Sequence, residues 1–221
     1  MNNTLLNYKQ IIEKIDSCKK KNRNDEEVNL TVVSKTFSSE VIEPLILEGH
    51  KIFGENKVQE ASSKWENLKK KYNNIKLHLI GPLQTNKVNL ALKTFDTIET
   101  IDREKLAVKI KNSCESFIKK DFEFFVQVNT GNESQKSGIE LNKTKSFTDW
   151  IINDLKLNVT GLMCIPPFDE DPTIHFKLLK QKKLECNLRH LSMGMSSDFE
   201  QAIIAGTTFV RVGSAIFGKR N

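Results

Sequence analysis

Cysteine is sparse in this chain and carries no pattern. Cys18, Cys114, Cys164 and Cys186 lie far apart without C-x-x-C spacing, so neither a zinc site nor a disulfide framework is expected, and a reducing compartment fits. Long apolar runs are missing too. Nothing approaches the roughly 20 residues a membrane span needs, and the polar opening Met1-Asn2-Asn3-Thr4 lacks the apolar core of a secretory signal. The expected location is the cytoplasm, with no membrane partner. No Pro/Gly/Ser-rich linker divides the sequence, so its 221 residues are expected to form one domain, 1–221. Arginine is scarce, five against 29 lysines, and so are tyrosine, with two, and histidine, with four. These scarcities bear on chemistry below.

A net charge of +6 raises the question of nucleic acid. The clustering is weak. Lys19-Lys20-Lys21 and Lys69-Lys70-Lys71 fall at predicted helix ends, where cations complement the macrodipole, and neither run is interleaved with stacking aromatics. No nucleic-acid partner is expected.

What the chain does contain is alternation. Short β-branched runs at 30–34, 51–53, 77–80, 97–101, 124–128, 159–165, 190–193 and 209–212 read as strands. Amphipathic segments at 39–47, 57–71, 85–93, 103–119, 142–155, 172–188 and 197–205 read as helices, and an extra helix near 5–20 precedes the first strand. Asp102 and Asp171 are candidate N-caps, the second followed by Pro172 at a first helical position. Strand–helix alternation implies right-handed crossovers and a parallel sheet. Eight such units predict an α/β fold closed into a (β/α)8 TIM barrel, with an open doubly wound sheet as the rival.

In such a barrel chemistry gathers where strands end. Within Phe209-Val210-Arg211-Val212-Gly213, strand parity sends the valines toward the helices and Arg211 inward. A buried guanidinium keeps its charge and needs an acceptor: a neighbouring strand's carboxylate or a bound anion. The loops after strands seven and eight, Ser192-Met193-Gly194-Met195-Ser196 and Gly213-Ser214, occupy the places where barrels often hold a phosphate, although such residues also make ordinary turns and caps. Lys35 shares the parity of Thr31 and Val33, which points it toward the barrel mouth; its ordinary reading is a solvated strand end. A lysine close to another cation and partly removed from water is a nucleophile toward aldehydes. Together the three features suit an aldehyde with a phosphate and a ring nitrogen, pyridoxal 5′-phosphate (PLP).

The sequence also resembles a known family. Val33-Ser34-Lys35-Thr36, Phe53-Gly54-Glu55-Asn56-Lys57-Val58-Gln59-Glu60 and His78-Leu79-Ile80-Gly81-Pro82-Leu83-Gln84-Thr85-Asn86-Lys87 carry the first blocks of the likeness. Val128-Asn129-Thr130-Gly131, Lys136-Ser137-Gly138 and Gly161-Leu162-Met163-Cys164-Ile165-Pro166-Pro167 continue it. The most distinctive are Leu191-Ser192-Met193-Gly194-Met195-Ser196-Ser197-Asp198-Phe199-Glu200 and Val210-Arg211-Val212-Gly213-Ser214-Ala215-Ile216-Phe217-Gly218. In these blocks the chain is similar to the PLP homeostasis proteins, whose fold resembles the N-terminal barrel of alanine racemase. The resemblance implies an imine between Lys35 and the PLP aldehyde and Asn56 beside the ring near its phenolic oxygen. It also implies Arg211 at the pyridine nitrogen and Ser196, Gly213 and Ser214 at the phosphate, with Met195 and Ser192 completing the pocket.

A racemase is the enzymatic alternative. Two-base racemisation needs a proton donor or acceptor on each face of the planar intermediate. Tyr8 and Tyr72 fall in predicted helices, His50, His175 and His190 lie off the predicted C-terminal strand ends, and His78 starts strand three. The chain closes at Asn221 soon after its last strand, where alanine racemases continue into a β-rich domain. The expectation is therefore a PLP-binding homeostasis protein without a reaction of its own, a monomer that hands its cofactor to PLP-dependent apoenzymes. A low-activity PLP enzyme and a cofactor-free barrel acting on sugar-phosphate aldehydes are the alternatives.

Overall fold

The computed structural model describes residues 3–22, 27–117, 121–133 and 135–218. A long helix α1 (Asn3–Lys21) leads into β1 (Asn29–Val33), α2 (Ser39–Leu47), β2 (Ile52–Glu55), α3 (Val58–Lys71), β3 (Lys76–Leu79), α4 (Val88–Thr94), β4 (Thr97–Ile101) and α5 (Glu104–Cys114). The second half runs β5 (Glu123–Asn129), β6 (Ile139–Glu140), α6 (Thr144–Asn153), β7 (Val159–Met163), α7 (Pro172–Glu185), β8 (His190–Ser192), α8 (Phe199–Ala205), β9 (Phe209–Val212) and α9 (Ser214–Phe217).

Eight strands form a closed parallel ring in the order β4-β3-β2-β1-β9-β8-β7-β5, and pairing of β4 with β5 completes it. Closure excludes the open doubly wound sheet. The two-residue strand β6 is an addition that the alternation does not predict; it pairs with the end of β5 through Val128↔Ile139 and Asn129↔Glu140. Two residues have no periodicity to read. The short α9 was likewise not anticipated, and the helix expected at 103–119 ends at Cys114, its last two residues lying outside the described ones.

Strand parity organises the packing. Val32, Phe53, Leu77, Leu79, Val126, Leu162, Leu191, Val210 and Val212 face outward and merge with inward-facing helix residues such as Ile42, Trp65, Ile110 and Phe176 in one continuous core. Burying each large apolar side chain contributes roughly 2 kcal/mol. The opposite parity fills the barrel interior. There Phe125, Met163 and Phe209 form a separate small cluster, with the rings of His78 and His190 each 5.4 Å from Phe209. This cluster fills part of the barrel interior with aromatic rings.

The four-residue α9 is too short to cover β9 and β1. Helix α1 packs on α9, α8 and α2, burying Tyr8, Ile11, Ile15 and Cys18, and Asn7 Nδ2 donates to the Ile216 carbonyl at 3.0 Å. The extra N-terminal helix thus belongs to the outer helix layer. The lysine triplets occupy the last turns of α1 and α3, as expected. Asp171 caps α7, its carboxylate accepting from Thr173 N–H at 2.9 Å, with Pro172 at the first helical position. Asp102 does not cap α5. Extended Arg103 takes the N-cap position, and its guanidinium bonds both Asp102, at 2.5 Å, and the Leu83 carbonyl, at 2.9 Å.

Candidate functional site

All six residues expected at a ligand site, Lys35, Asn56, Ser196, Arg211, Gly213 and Ser214, line one cavity of about 330 Å³ at the C-terminal ends of the strands. Val33, Ile80, Ile165 and Met195 supply its apolar wall. Parity explains part of the convergence. Val33 alternates with outward Val32 on β1 and Asn56 follows inward Gly54 at the end of β2, whereas Lys35, expected inward by strand parity, lies in the turn just past the end of β1. A second chamber of about 310 Å³ shares Asn56, Ile80 and Ile165 and continues to Gln127, Asn129 and Ser137.

Arg211 is 4% exposed. Its Nη1 donates to Ser192 Oγ at 2.6 Å and its Nη2 to the Cys164 carbonyl at 2.8 Å, while its backbone N–H meets the Gly194 carbonyl at 2.9 Å. Ser192 Oγ in turn donates to Glu99 Oε2 at 2.5 Å, and Glu99 Oε1 lies 2.6 Å from His78 Nδ1. Burial pushes the Glu99 carboxyl up, but the His78 hydrogen bond and charge, the Arg211 charge and the Ser192 hydroxyl together hold it below its ordinary value. Of the two readings of the inward arginine, the structure supplies the strand carboxylate. A carboxylate answers it at one hydroxyl's remove, and the guanidinium still forms part of the cavity wall.

Ser192 itself does not line the cavity. Strand β8 ends at this residue, and its inward parity places the side chain one layer lower, in the Glu99–Arg211 chain. Met195 does line it. Gly194 before it has φ 92°, and a Cβ there would come within 2.5 Å of Ala202 Cβ, so the loop closes only with glycine. Ser196 Oγ accepts from Ala215 N–H at 3.4 Å and joins the loop after β8 to the loop after β9. At Gly213 a Cβ would press on Val33 at 3.1 Å.

Neither chamber is lined by tyrosine, histidine or cysteine among the described residues. Tyr8 is buried in α1 beside His50, and Tyr72, one residue past α3, donates to Glu43 at 2.6 Å. The Cys164 thiol is pushed up to about 12 by burial and stays neutral. Sequence reasoning missed Glu99 and also Glu55, Glu60 and Lys64, which surround the Lys35 turn. The available signal was a carboxylate embedded in a strand run, in Thr97-Ile98-Glu99-Thr100-Ile101 and in Ile52-Phe53-Gly54-Glu55.

The donor set can be tested against PLP. A primary amine, a permanent cation and two hydroxyls around a close-approach glycine match an aldehyde, a ring nitrogen and a phosphate, and the volume suits one small ligand. Comparison with known proteins agrees. Residues 7–221 match the family model described as alanine racemase, N-terminal domain. The "Pyridoxal phosphate homeostasis protein" of Aquifex aeolicus is 37% identical over 96% of both chains. PipY of Synechococcus elongatus, in a structure with PLP bound, is 28% identical with a TM-score of 0.77, covering 86% of this chain and 92% of its own. Alanine racemase from Bartonella henselae, 15% identical with a TM-score of 0.74, shares the fold over 99% of this chain but 60% of its own length. The chain belongs to the alanine racemase N-terminal domain family and, within it, to the pyridoxal phosphate homeostasis proteins.

Proposed function

We propose that this barrel, as one domain over 1–221, binds PLP in the cavity between Lys35 and Arg211 and serves intracellular PLP homeostasis. The carrying observation is that six residues from four separate strand ends meet in a single small cavity. When bound, PLP supplies an aldehyde that joins a primary amine reversibly. Lys35 is the amine that holds it. Asn56 orients the ring from the side, and the Ser196 and Ser214 hydroxyls with the Gly213 backbone receive the phosphate. Arg211 faces the ring nitrogen; a permanent cation there disfavours ring protonation and so weakens carbanion chemistry.

Reversible tethering suits storage and delivery better than turnover, and the absence of tyrosine or histidine from the described cavity lining supports a role without a reaction of its own. Recipient PLP-dependent apoenzymes, a monomeric state and a cytoplasmic location complete the proposal. Among the described residues no helix is long and apolar enough to cross a membrane.

Borohydride reduction of PLP-loaded protein followed by peptide mapping tests the assignment: the pyridoxyl group is expected on Lys35. A label confined to other lysines would reject the pocket. Racemase or transaminase turnover that scales with protein and is lost in Lys35→Ala would replace the carrier reading with an enzyme.

A further inference from the structure

Lys35 owes its position to a turn that its own residues do not favour. Phe37 N–H donates to the Ser34 carbonyl at 3.2 Å, closing a turn with Lys35 and Thr36 at its centre. Thr36 sits at φ 70°, a left-handed conformation that a β-branched residue adopts only when its surroundings impose it. The imposing contacts come from α3. Lys64 Nζ donates to the Ser34 carbonyl at 2.8 Å and the Phe37 carbonyl at 3.0 Å, the two ends of the turn. Thr36 N–H, in its middle, donates to Glu60 Oε1 at 2.5 Å.

Glu60 and Lys64 are one helical turn apart, so a single face of α3 grips the turn at both ends and its centre. Lys64 is anchored in its turn. Its side chain is 9% exposed and pairs with wholly buried Glu55 at 2.8 Å. The same Glu55 oxygen accepts the Ser34 hydroxyl at 2.7 Å and the Trp65 indole N–H at 3.0 Å. The ammonium donates to the Ser34 and Phe37 carbonyls and, at 3.4 Å, to Glu60 Oε1, while the Glu55 charge lies beside it. A buried ion pair alone says little about stability. This one is spent on the backbone that carries Lys35.

We propose that Lys64, assisted by Glu60, is a positioning residue: it holds the strained 34–37 turn so that the Lys35 amine enters the cavity. The inference rests on the reading of Lys35 as the PLP anchor. A reacting group misplaced by about 1 Å loses up to roughly a hundredfold in rate. Loss of the clamp is therefore expected to slow capture at Lys35 before it dissolves the barrel.

The test compares full-length protein with Lys64→Arg, Glu60→Gln and the double variant Glu55→Gln/Lys64→Met, which removes the clamp without stranding a buried charge. Each is mixed with PLP, followed by rapid absorbance, reduced with borohydride and mapped, while thermal melting reports folding. A cooperatively melting double variant labelled about 10–100-fold more slowly on Lys35, with most of the rate kept by Lys64→Arg, supports the proposal. Wild-type labelling rates in the folded double variant would overturn it and leave the anchor reading intact; wild-type protein labelled only at other lysines overturns both. If the double variant does not fold, partly exposed Glu60 decides: an unchanged rate in Glu60→Gln overturns the proposal, and a slowed rate restored by adding Thr36→Gly supports it.

Discussion

Glu55 and Glu99 are both wholly buried carboxylates on neighbouring parts of one barrel, yet they lie on opposite sides of its wall. Glu55 faces the helix layer and meets a lysine directly, at 2.8 Å. Glu99 faces the interior and reaches Arg211 only through the Ser192 hydroxyl, with His78 on its other oxygen. The outer pair leads to the turn that carries Lys35, and the inner chain leads to the guanidinium on the cavity's far wall. Strand parity decides which partner each acid finds. The outer side offers long flexible side chains from helices, whereas the inner side offers only residues of other strands, short of reach and fixed in register.

The comparison breaks most severely at Lys64. Lys64→Met alone strands the Glu55 charge and is expected to cost about 3–5 kcal/mol in chemical denaturation, most of it recovered when Glu55→Gln is added. Glu99→Gln keeps an acceptor for Ser192 but removes the charge facing Arg211, an expected loss of about 2–3 kcal/mol at neutral pH. Because the fold holds the Glu99 carboxyl below its ordinary value, its contribution is complete above the ordinary carboxylate range and disappears as pH falls through the lowered value. The gap between wild type and Glu99→Gln should therefore close on acidification, measured as denaturation midpoints against pH.

Smaller changes sharpen the contrast. Ser192→Ala takes the hydroxyl from between Arg211 and Glu99, with an expected cost of about 1–2 kcal/mol and a rise in the Glu99 carboxyl value, detectable by carboxyl-carbon NMR titration. Asp171→Ala serves as the control away from both acids. It removes the α7 cap, should lower the melting temperature slightly and should leave PLP titration unchanged.

Much of this molecule was legible beforehand. The alternation of strands and helices, the inward parity of Arg211 and the glycine–serine loops depend on local pattern, which the chain displays residue by residue; Lys35, read as inward by strand parity, is carried instead by a turn beyond β1. What escaped depended on geometry between distant segments. Ser192 reads as a loop residue near a phosphate but lies below the cavity, because β8 ends on it. Asp102 reads as a helix cap, but Arg103 takes the N-cap position and its guanidinium bonds Asp102 and the distant Leu83 carbonyl. Strand β6 and helix α9 are too short to show a period at all.

By itself the sequence determined the eight-fold alternation, the side of the sheet on which each strand residue falls, and the residue types at the strand ends, since all three follow from the two-residue and 3.6-residue repeats. Only the tertiary structure decided that Lys64 grips the Lys35 turn and that Ser192 passes the Arg211 charge to Glu99. Those links join residues up to 93 positions apart, and they exist only because the closed ring brings the strands and their helices to fixed distances.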